Sequence, residues 1–148
     1  MDFEIRPANR NDLQALLELE NLCFQHPWKE KDLIYELEEN PVSNFWVIEV
    51  NNQVVGFSDY WVTFDSATIA QIAIHPTFRR NHLGSALMQD IIDDCYAKKV
   101  ASLTLEVRIG NEKAIGLYMK HGFKKIVVKP HYYTDGEDAI YMVRKVEL

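Results

Sequence analysis

The sequence lacks the two glycine-rich motifs that most often mark nucleotide sites. Its 148 residues contain only six glycines, and neither Gly-x-x-x-x-Gly-Lys-Ser/Thr nor Gly-x-Gly-x-x-Gly occurs. A nucleoside triphosphate or a dinucleotide is therefore a poor candidate ligand. Long apolar runs and a signal-peptide pattern are also missing. We expect a soluble, unprocessed protein that has no membrane partner.

Positive charge, cysteine and metal-ligand clusters are scarce as well. The formal net charge is -6, which argues against a nucleic-acid partner and fits either a cationic partner or simple solubility. Cys23 and Cys95 lie in apolar, helix-patterned segments, where a free thiol acts as a small hydrophobe and not as a nucleophile. A reducing, cytoplasmic location is expected. The histidines are scattered without the spacing of a zinc site, so no metal is expected.

What is present is enough material for one core. Hydrophobic residues make up 47% of the chain and aromatic residues 11%, which suits one domain over residues 1–148. No linker or repeat divides it. Alternating and helical spacings predict a mixed order of strands and helices, that is, an α/β (α+β) fold.

The predicted elements follow from local signals. Asn9 is a candidate N-cap with Asp12 at the third helical position, and Asn51-Asn52 is a candidate hairpin turn. Leu13, Leu16, Leu17, Glu20 and Phe24 share one face of the first predicted helix. The first predicted helix follows Asn9 and is ended by Pro27, and the other predicted helices cover 28–39, 83–98 and 111–121. The predicted strands cover 2–6, 45–50, 54–62, 67–74, 102–108, 126–128 and 139–143.

The most informative segment runs from Gln71 to Ala86. It is an apolar strand, then a basic turn that contains Gly84, then an amphipathic helix. The first N–H groups of a helix have no partner inside it and lie at the positive end of its dipole, so such a turn can hold a phosphate without a metal. Arg79 and Arg80 add positive charge. The sequence predicts a phosphate seat over residues 80–85.

The order of these motifs resembles the GNAT superfamily of N-acetyltransferases over nearly the whole chain. The matching segments are Arg-Arg-Asn-His-Leu-Gly-Ser-Ala at 79–86, Leu-Glu-Val-Arg at 105–108 and the stretch 111–123. His-Pro-Trp at 26–28, Ala-Ile-Gly-Leu-Tyr at 114–118, Gly-Phe at 122–123, Tyr-Tyr at 132–133 and Glu-Asp-Ala at 137–139 resemble the ribosomal-protein-alanine N-acetyltransferase (RimI) group within it. Two departures stand out: His82 replaces a glycine of the family's turn, and Pro130-His131 stand where relatives often carry an arginine.

The resemblance implies a single-domain GNAT-like fold, with a mostly antiparallel central sheet and about four helices, and it implies acetyl-CoA as co-substrate. The diphosphate of the cofactor would rest on the turn and its pantetheine arm would run along the preceding strand as an added strand does. The cofactor-binding residues implied are Ile72, Ala73, Ile74, Arg79, Arg80, Asn81, His82, Leu83, Gly84, Ser85 and Asn111.

Catalytic roles are implied for two residues. Glu106 would accept a proton from the acceptor amine, directly or through water, because only the free base attacks a thioester. Tyr118 would protonate the departing CoA thiolate. Without the resemblance, Glu106 reads as a solvated residue on the polar face of a strand, and Tyr118 reads as core packing.

The acceptor groove is expected to include Trp28, Tyr132 and Tyr133, whose aromatic walls would favour a small first residue such as Ala. The alternative is that these aromatics close the ends of the core. The function implied is acetyl transfer to the N-terminal α-amine of a small-subunit ribosomal protein. Two alternatives stay open: an acetyltransferase for a lysine side chain, a polyamine or another small amine, and a non-catalytic acyl-CoA binding module.

Overall fold

The computed structural model describes residues 1–146 and contains a seven-stranded sheet in the order β1-β2-β3-β4-β5-β7-β6. The strands are β1 Glu4–Pro7, β2 Ser43–Val50, β3 Gln53–Thr63, β4 Ser66–Ile74, β5 Ser102–Arg108, β6 Lys124–Lys129 and β7 Ala139–Lys145. The α-helices are α1 Leu13–Cys23, α2 Glu30–Ile34, α3 Leu83–Ala97 and α4 Glu112–Lys120. Among the strand pairs of residues 1–146, only β4–β5 is parallel. The predicted mixed fold and mostly antiparallel sheet are confirmed.

The start of the first helix follows the predicted cap. Asn9 N–H donates to Asp12 Oδ2 at 2.9 Å, and Asn11 N–H donates to Asn9 Oδ1 at 2.8 Å, which is a reciprocal capping box. The first turn, Arg10–Asp12, is a 3-10 turn before the regular helix begins at Leu13. The local signal therefore fixed the entry of the chain into α1.

The second helix starts later than predicted. Trp28 does not open it: the Trp28 N–H donates to the carboxylate of Glu20 at 2.8 Å, and the helix begins at Glu30. Its first turn is closed by Asp32, whose Oδ2 accepts from the Lys29 N–H at 2.9 Å. The helix then continues as one π turn, Tyr35–Glu39, and ends at Asn40 as predicted.

The β2–β3 hairpin turns at Asn51 and Asn52, whose φ angles are 52° and 62°. Asparagine tolerates this left-handed region better than most residues, so the predicted turn is confirmed. The hairpin pairs antiparallel over the full length of β2.

Helices cover both sides of the sheet. Val47 on β2 packs with Leu16 of α1 and Leu33 of α2, whereas the next residue, Ile48, packs with Leu87 of α3. We call these sides the α1/α2 face and the α3/α4 face. On β5 the residues Leu103, Leu105 and Val107 are buried on the α3/α4 face. The predicted alternation thus places Thr104, Glu106 and Arg108 on the α1/α2 face.

Candidate active site

The parallel strands β4 and β5 pair only at their beginnings and then separate. The register joins Ser66–Thr68 to Ser102–Thr104, although β4 continues to Ile74 and β5 to Arg108. Beyond Thr68 and Thr104, no pairing between the two strands exists within residues 1–146. We call the gap between 69–74 and 105–108 the wedge. Its two edges carry main-chain groups that an extended ligand can use.

The direction of those main-chain groups follows from the β3–β4 register. His75 N–H donates to Val55 O at 2.7 Å, so His75 and Ala73 direct their main-chain groups toward β3. The groups of Ile72 and Ile74 therefore face the wedge. Of the three strand residues expected to contact pantetheine, Ile72 presents a free edge and Ala73 faces β3. Ile74 presents only its N–H, because its carbonyl already accepts from Arg79 Nε.

A bulge in β4 turns the strand at the wedge. Gln71 pairs with Asp59 and Ile69 pairs with Tyr60, which leaves Ala70 without a partner on β3. An extra residue shifts the side-chain alternation. Ile69 accordingly packs on the α3/α4 face, whereas Ala73 packs on the α1/α2 face together with α1. The bulge thus directs Gln71 toward α1.

The predicted phosphate-binding turn lies between the end of β4 at Ile74 and the start of α3 at Leu83. His82 precedes the helix with φ 61° and ψ 17°, and its side chain does not cap the helix. The His82 carbonyl accepts from Ala86 N–H at 3.0 Å, so the N–H groups of Leu83, Gly84 and Ser85 point out of the helix start. His82 therefore adopts the left-handed backbone conformation that a glycine would adopt at this position. A residue with a Cβ pays a conformational free-energy cost in that region.

The basic residues of the turn have different surroundings. Arg79 Nε donates to the Ile74 carbonyl at 3.1 Å, which folds its side chain back on the end of β4. Arg80 is exposed and has φ 68°. Asn81 Nδ2 donates to the Phe78 carbonyl at 3.1 Å, which braces the turn. A Cβ at Gly84 would lie 3.5 Å from Leu117 Cδ2 and 3.9 Å from Ile74 Cγ1, which are ordinary contacts, so the packing of α3 leaves room for a methyl group there.

Glu106 lies on the β5 edge of the wedge. Its side chain is 22% exposed, and its Oε1 accepts from Lys129 Nζ at 2.8 Å. The ammonium also lies 4.8 Å from the ring centroid of Tyr141 and 5.3 Å from that of Tyr132. The hydrogen bond to Glu106 raises the pKa of Lys129. Lys129 was not predicted from the sequence, because β7 separates its strand from β5 in a way that local patterns do not reveal.

Tyr118 projects from α4 into the core and packs on Phe123, with ring centroids 5.8 Å apart. The residue is 8% exposed. Its hydroxyl has no hydrogen-bond partner among residues 1–146, and burial raises its pKa. It therefore keeps its proton at neutral pH. Asn111 caps the same helix, with Oδ1 accepting from Ala114 N–H at 3.3 Å.

Two loops meet at the end of β5 and bring the expected acceptor residues together. His26 Nε2 lies 3.5 Å from Asp135 Oδ2, which joins the α1–α2 loop to the β6–β7 loop. Arg108 Nη1 contacts Asp135 at 2.8 Å and Glu137 at 2.9 Å. The Arg108 guanidinium also lies 4.0 Å from the ring centroid of Tyr133.

The aromatic residues of these loops differ in exposure. Tyr132 is 49% exposed and meets the ring of Tyr133 edge on. Trp28 is half-buried against the core cluster of α1 and α2. Trp28 thus combines core packing with a position beside the loop junction.

The two cysteines and the metal-ligating side chains of the described residues do not form a further reactive site. Burial raises the pKa of Cys95 to about 11 and also raises that of Cys23, so neither thiol forms a nucleophilic thiolate at neutral pH. Within the described residues, no group of three His, Cys, Asp or Glu side chains is placed to hold a metal ion. None of the helices in residues 1–146 is both long and apolar enough to cross a membrane.

Comparison with known proteins agrees with this architecture. Residues 13–123 match the Acetyltransferase (GNAT) family, and the chain belongs to that family. It is an N-acetyltransferase, and acetyl-CoA is the acetyl donor.

Its similarity extends to individual members. The chain is 37% identical over 139 residues to the putative [ribosomal protein bS18]-alanine N-acetyltransferase of Bacillus subtilis, covering 93% of this chain and 92% of the relative. It is 36% identical over 147 residues to the Escherichia coli K12 [ribosomal protein bS18]-alanine N-acetyltransferase, covering 97% and 98%.

Solved structures give the same grouping. The crystal structure of the ribosomal-protein-S18-alanine N-acetyltransferase from E. coli superposes with a TM-score of 0.91 at 33% identity, covering 99% of this chain and 96% of that chain. Ard1 from Thermoplasma volcanium superposes with a TM-score of 0.93 at 30% identity over the whole of both chains. The recognition of the RimI group from short motifs is thereby confirmed.

Proposed function

We propose that this protein acetylates the N-terminal α-amine of a ribosomal protein whose chain begins with Ala, in the cytoplasm where ribosomal proteins are made. The observation that carries the proposal is the wedge: one of its edges ends at the uncapped start of α3, and the other carries Glu106. Relatives named for alanine acetylation of ribosomal protein bS18 support the choice of acceptor.

The residues at the wedge fit the co-substrate. The free N–H groups of Leu83, Gly84 and Ser85 suit a diphosphate, since they add to the positive end of the dipole of a 15-residue helix. The edge groups of Ile72 and the N–H of Ile74 suit the amides of pantetheine. Bound acetyl-CoA supplies a thioester carbonyl that an amine can attack.

Glu106 acts as the proton acceptor. Lys129 occupies its Oε1, which leaves Oε2 for the incoming amine or for a water between them. As the new C–N bond forms, the amine proton passes to this carboxylate. An acceptor can reach this carboxylate from the α1/α2 face, since the Glu106 side chain is 22% exposed. The loops that carry Trp28 and Tyr133 meet beside this point through His26 and Asp135.

Tyr118 completes the transfer. When the C–S bond breaks, the electron pair stays on sulfur, and the Tyr118 hydroxyl gives the thiolate its proton. This role agrees with a hydroxyl that is protonated at neutral pH and has no internal partner within the described residues. Neither cysteine carries the acetyl group during transfer, since both thiols are held in the neutral form.

The experiment is a product assay by mass. The protein is incubated with acetyl-CoA and three peptides of one sequence: Ala first with a free amine, the same peptide with a blocked N-terminus, and a version with a bulky first residue. We expect one acetyl group on the first peptide and none on the blocked one. Acetylation of an internal lysine in the blocked peptide would move the proposal to side-chain amines.

A further inference from the structure

Glu20 is a buried carboxylic acid that the proposed chemistry does not use. It lies near the end of α1 with no exposed surface. Its Oε1 accepts from the Trp28 N–H at 2.8 Å and from Gln71 Nε2 at 3.2 Å. One side chain thus links α1, the acceptor-side loop and the strand that borders the wedge. The residue shared a face with leucines in the sequence pattern, which gave no sign of this role.

Two oxygens at this link lack donors. Glu20 Oε2 and Gln71 Oε1 are both fully buried, and neither has a partner within residues 1–146. Buried acceptors without donors are costly. These two oxygens belong to side chains that already share one hydrogen bond, and a proton on Oε2 supplies the missing donor. A neutral carboxylic acid and a primary amide can then pair twice: amide N–H to acid oxygen, and acid O–H to amide oxygen.

The surroundings favour the protonated form. Burial is the main cause that raises the pKa of Glu20 to about 7, and Asp32 on α2 adds to it, against the lowering by the bonds from Trp28 and Gln71. Cys23 on α1 is a neutral thiol, because burial raises its pKa. Burial and the neighbouring Glu36 raise the pKa of Asp59, which lies opposite Gln71 on β3. The cation nearest to this group of side chains is Arg79, which acts on the Cys23 thiol and not on Glu20.

We propose that Glu20 is a positioning residue whose neutral acid pairs with Gln71 and locks the loop of residues 24–29 against β4, so that losing its proton releases the acceptor side of the groove. The proposal rests on the proposed function for the identity of the acceptor. When Glu20 is ionised, the carboxylate and the Gln71 oxygen have no proton between them and repel. The Trp28 N–H still donates to the carboxylate, but the buried charge draws water into the link, and this water separates the loop of residues 24–29 from β4.

The test uses Glu20→Gln, which keeps the shape and supplies an N–H donor at every pH. Glu18→Gln, an exposed change on the same helix, is the matched control. Calorimetry in the presence of CoA gives the Kd of the Ala-first peptide for each protein from pH 6 to pH 8.5. Titration of the peptide amine affects all three proteins alike, so the ratio of wild type to Glu20→Gln isolates Glu20.

The expected ratio is near one at pH 6 and rises with pH. If only the neutral form binds, a pKa of about 7 gives an upper bound of about 30-fold weaker binding by the wild type at pH 8.5. The Glu18→Gln control should follow the wild type, and the affinity for acetyl-CoA should stay the same in all three. Parallel curves for wild type and Glu20→Gln would overturn the proposal.

A second measurement separates this proposal from the proposed function. The infrared difference between wild type and Glu20→Gln at pH 6 should show the carbonyl band of a protonated carboxyl, and this band should vanish by pH 8.5. The measurement needs no peptide, so it holds even if the acceptor is another amine. A carboxylate band for Glu20 at pH 6 would overturn the acid–amide pair, whereas absence of peptide binding with the acid band present would count against the acceptor alone.

Discussion

Lys129 Nζ lies 2.8 Å from Glu106 Oε1, so the proposed catalytic base already holds one ammonium group of its own chain. The pair crosses β7, which lies between β5 and β6. Lys129 holds the carboxylate through Oε1. An acceptor amine would bind the other oxygen, Oε2. Charge-assisted hydrogen bonds of this kind fix geometry better than neutral ones do.

The first prediction concerns Glu106→Gln. Turnover with the Ala-first peptide should fall by about 100-fold or more, the range that a general base contributes. The affinity for acetyl-CoA should remain, since the amide removes a proton acceptor and not a cofactor contact. Steady-state kinetics and calorimetry check the two halves. Glu4→Gln, an exposed change on the distant edge strand, serves as control, and an unchanged kcat in Glu106→Gln would exclude this residue as the base.

The second prediction concerns Lys129. Lys129→Met keeps the packing against the rings of Tyr132 and Tyr141 but removes the hydrogen bond to Glu106. Turnover should fall by about tenfold, the equivalent of one charge-assisted hydrogen bond. Lys129→Arg should retain most of the activity, because it preserves the cation. Equal losses in both variants would indicate that the side chain acts through packing and not through Glu106.

The third prediction concerns Tyr118→Phe. Because the hydroxyl has no partner within the described residues, its removal should leave the melting temperature nearly unchanged. The acetyl-transfer rate should fall by about 100-fold, since the thiolate loses its proton donor. Single-turnover kinetics with a thermal melt of the same sample separates the two effects. A full-rate variant would make Tyr118 a packing residue.

The fourth prediction concerns the strained turn at His82. Its φ of 61° costs an L-residue about 1–2 kcal/mol. Glycine avoids this strain, but it loses more backbone entropy on folding, which offsets part of the gain. His82→Gly should therefore raise the free energy of unfolding by up to about 1 kcal/mol in urea titrations, with affinity for acetyl-CoA retained.

The control for that change is His75→Gly. His75 has φ -50°, and its Nδ1 accepts from Thr77 N–H at 3.1 Å. Its loss should destabilise the fold by about 1 kcal/mol, as the loss of a cap does. Equal destabilisation by both changes would show that position 82 carries no strain.

The fifth prediction concerns Asp59, a buried carboxyl that accepts from Ser43 Oγ at 2.7 Å and faces Glu36. Burial and the neighbouring Glu36 raise its pKa far above the ordinary value of about 3.9. The folded protein thus holds a proton that the unfolded chain releases between the ordinary and the raised pKa, so stability falls as pH rises through that window.

Asp59→Asn removes this linkage and supplies an N–H donor toward Glu36. The variant should be more stable than wild type by more than about 1 kcal/mol at pH 8, and the difference should shrink toward pH 4. Urea titrations at both pH values measure it, with Asp65→Asn, an exposed change in the β3–β4 turn, as control. A pH-independent difference would contradict the raised pKa.

Local signals predicted most of the elements. The Asn9–Asp12 capping box, the Asn51-Asn52 turn and the alternation of β5 each depend on residues a few positions apart, and each is found as expected. The start of α2 was predicted at Trp28 and lies at Glu30. At that start Asp32 Oδ2 accepts from the Lys29 N–H, while Glu20, eight positions before Trp28, holds the Trp28 N–H in the preceding loop. The local pattern does not display this second contact.

The sequence by itself determined the strands, helices, caps and the two faces of β5, because those features depend on neighbours along the chain and on the side-chain period. Tertiary structure decided what meets at the wedge. The strand order β5-β7-β6 places Lys129 one strand beyond β7, where its long side chain reaches across β7 to Glu106. The bulge at Ala70 turns Gln71 toward Glu20. Both contacts join residues far apart in the chain, and their energy depends on burial and strand order, which only the folded sheet sets.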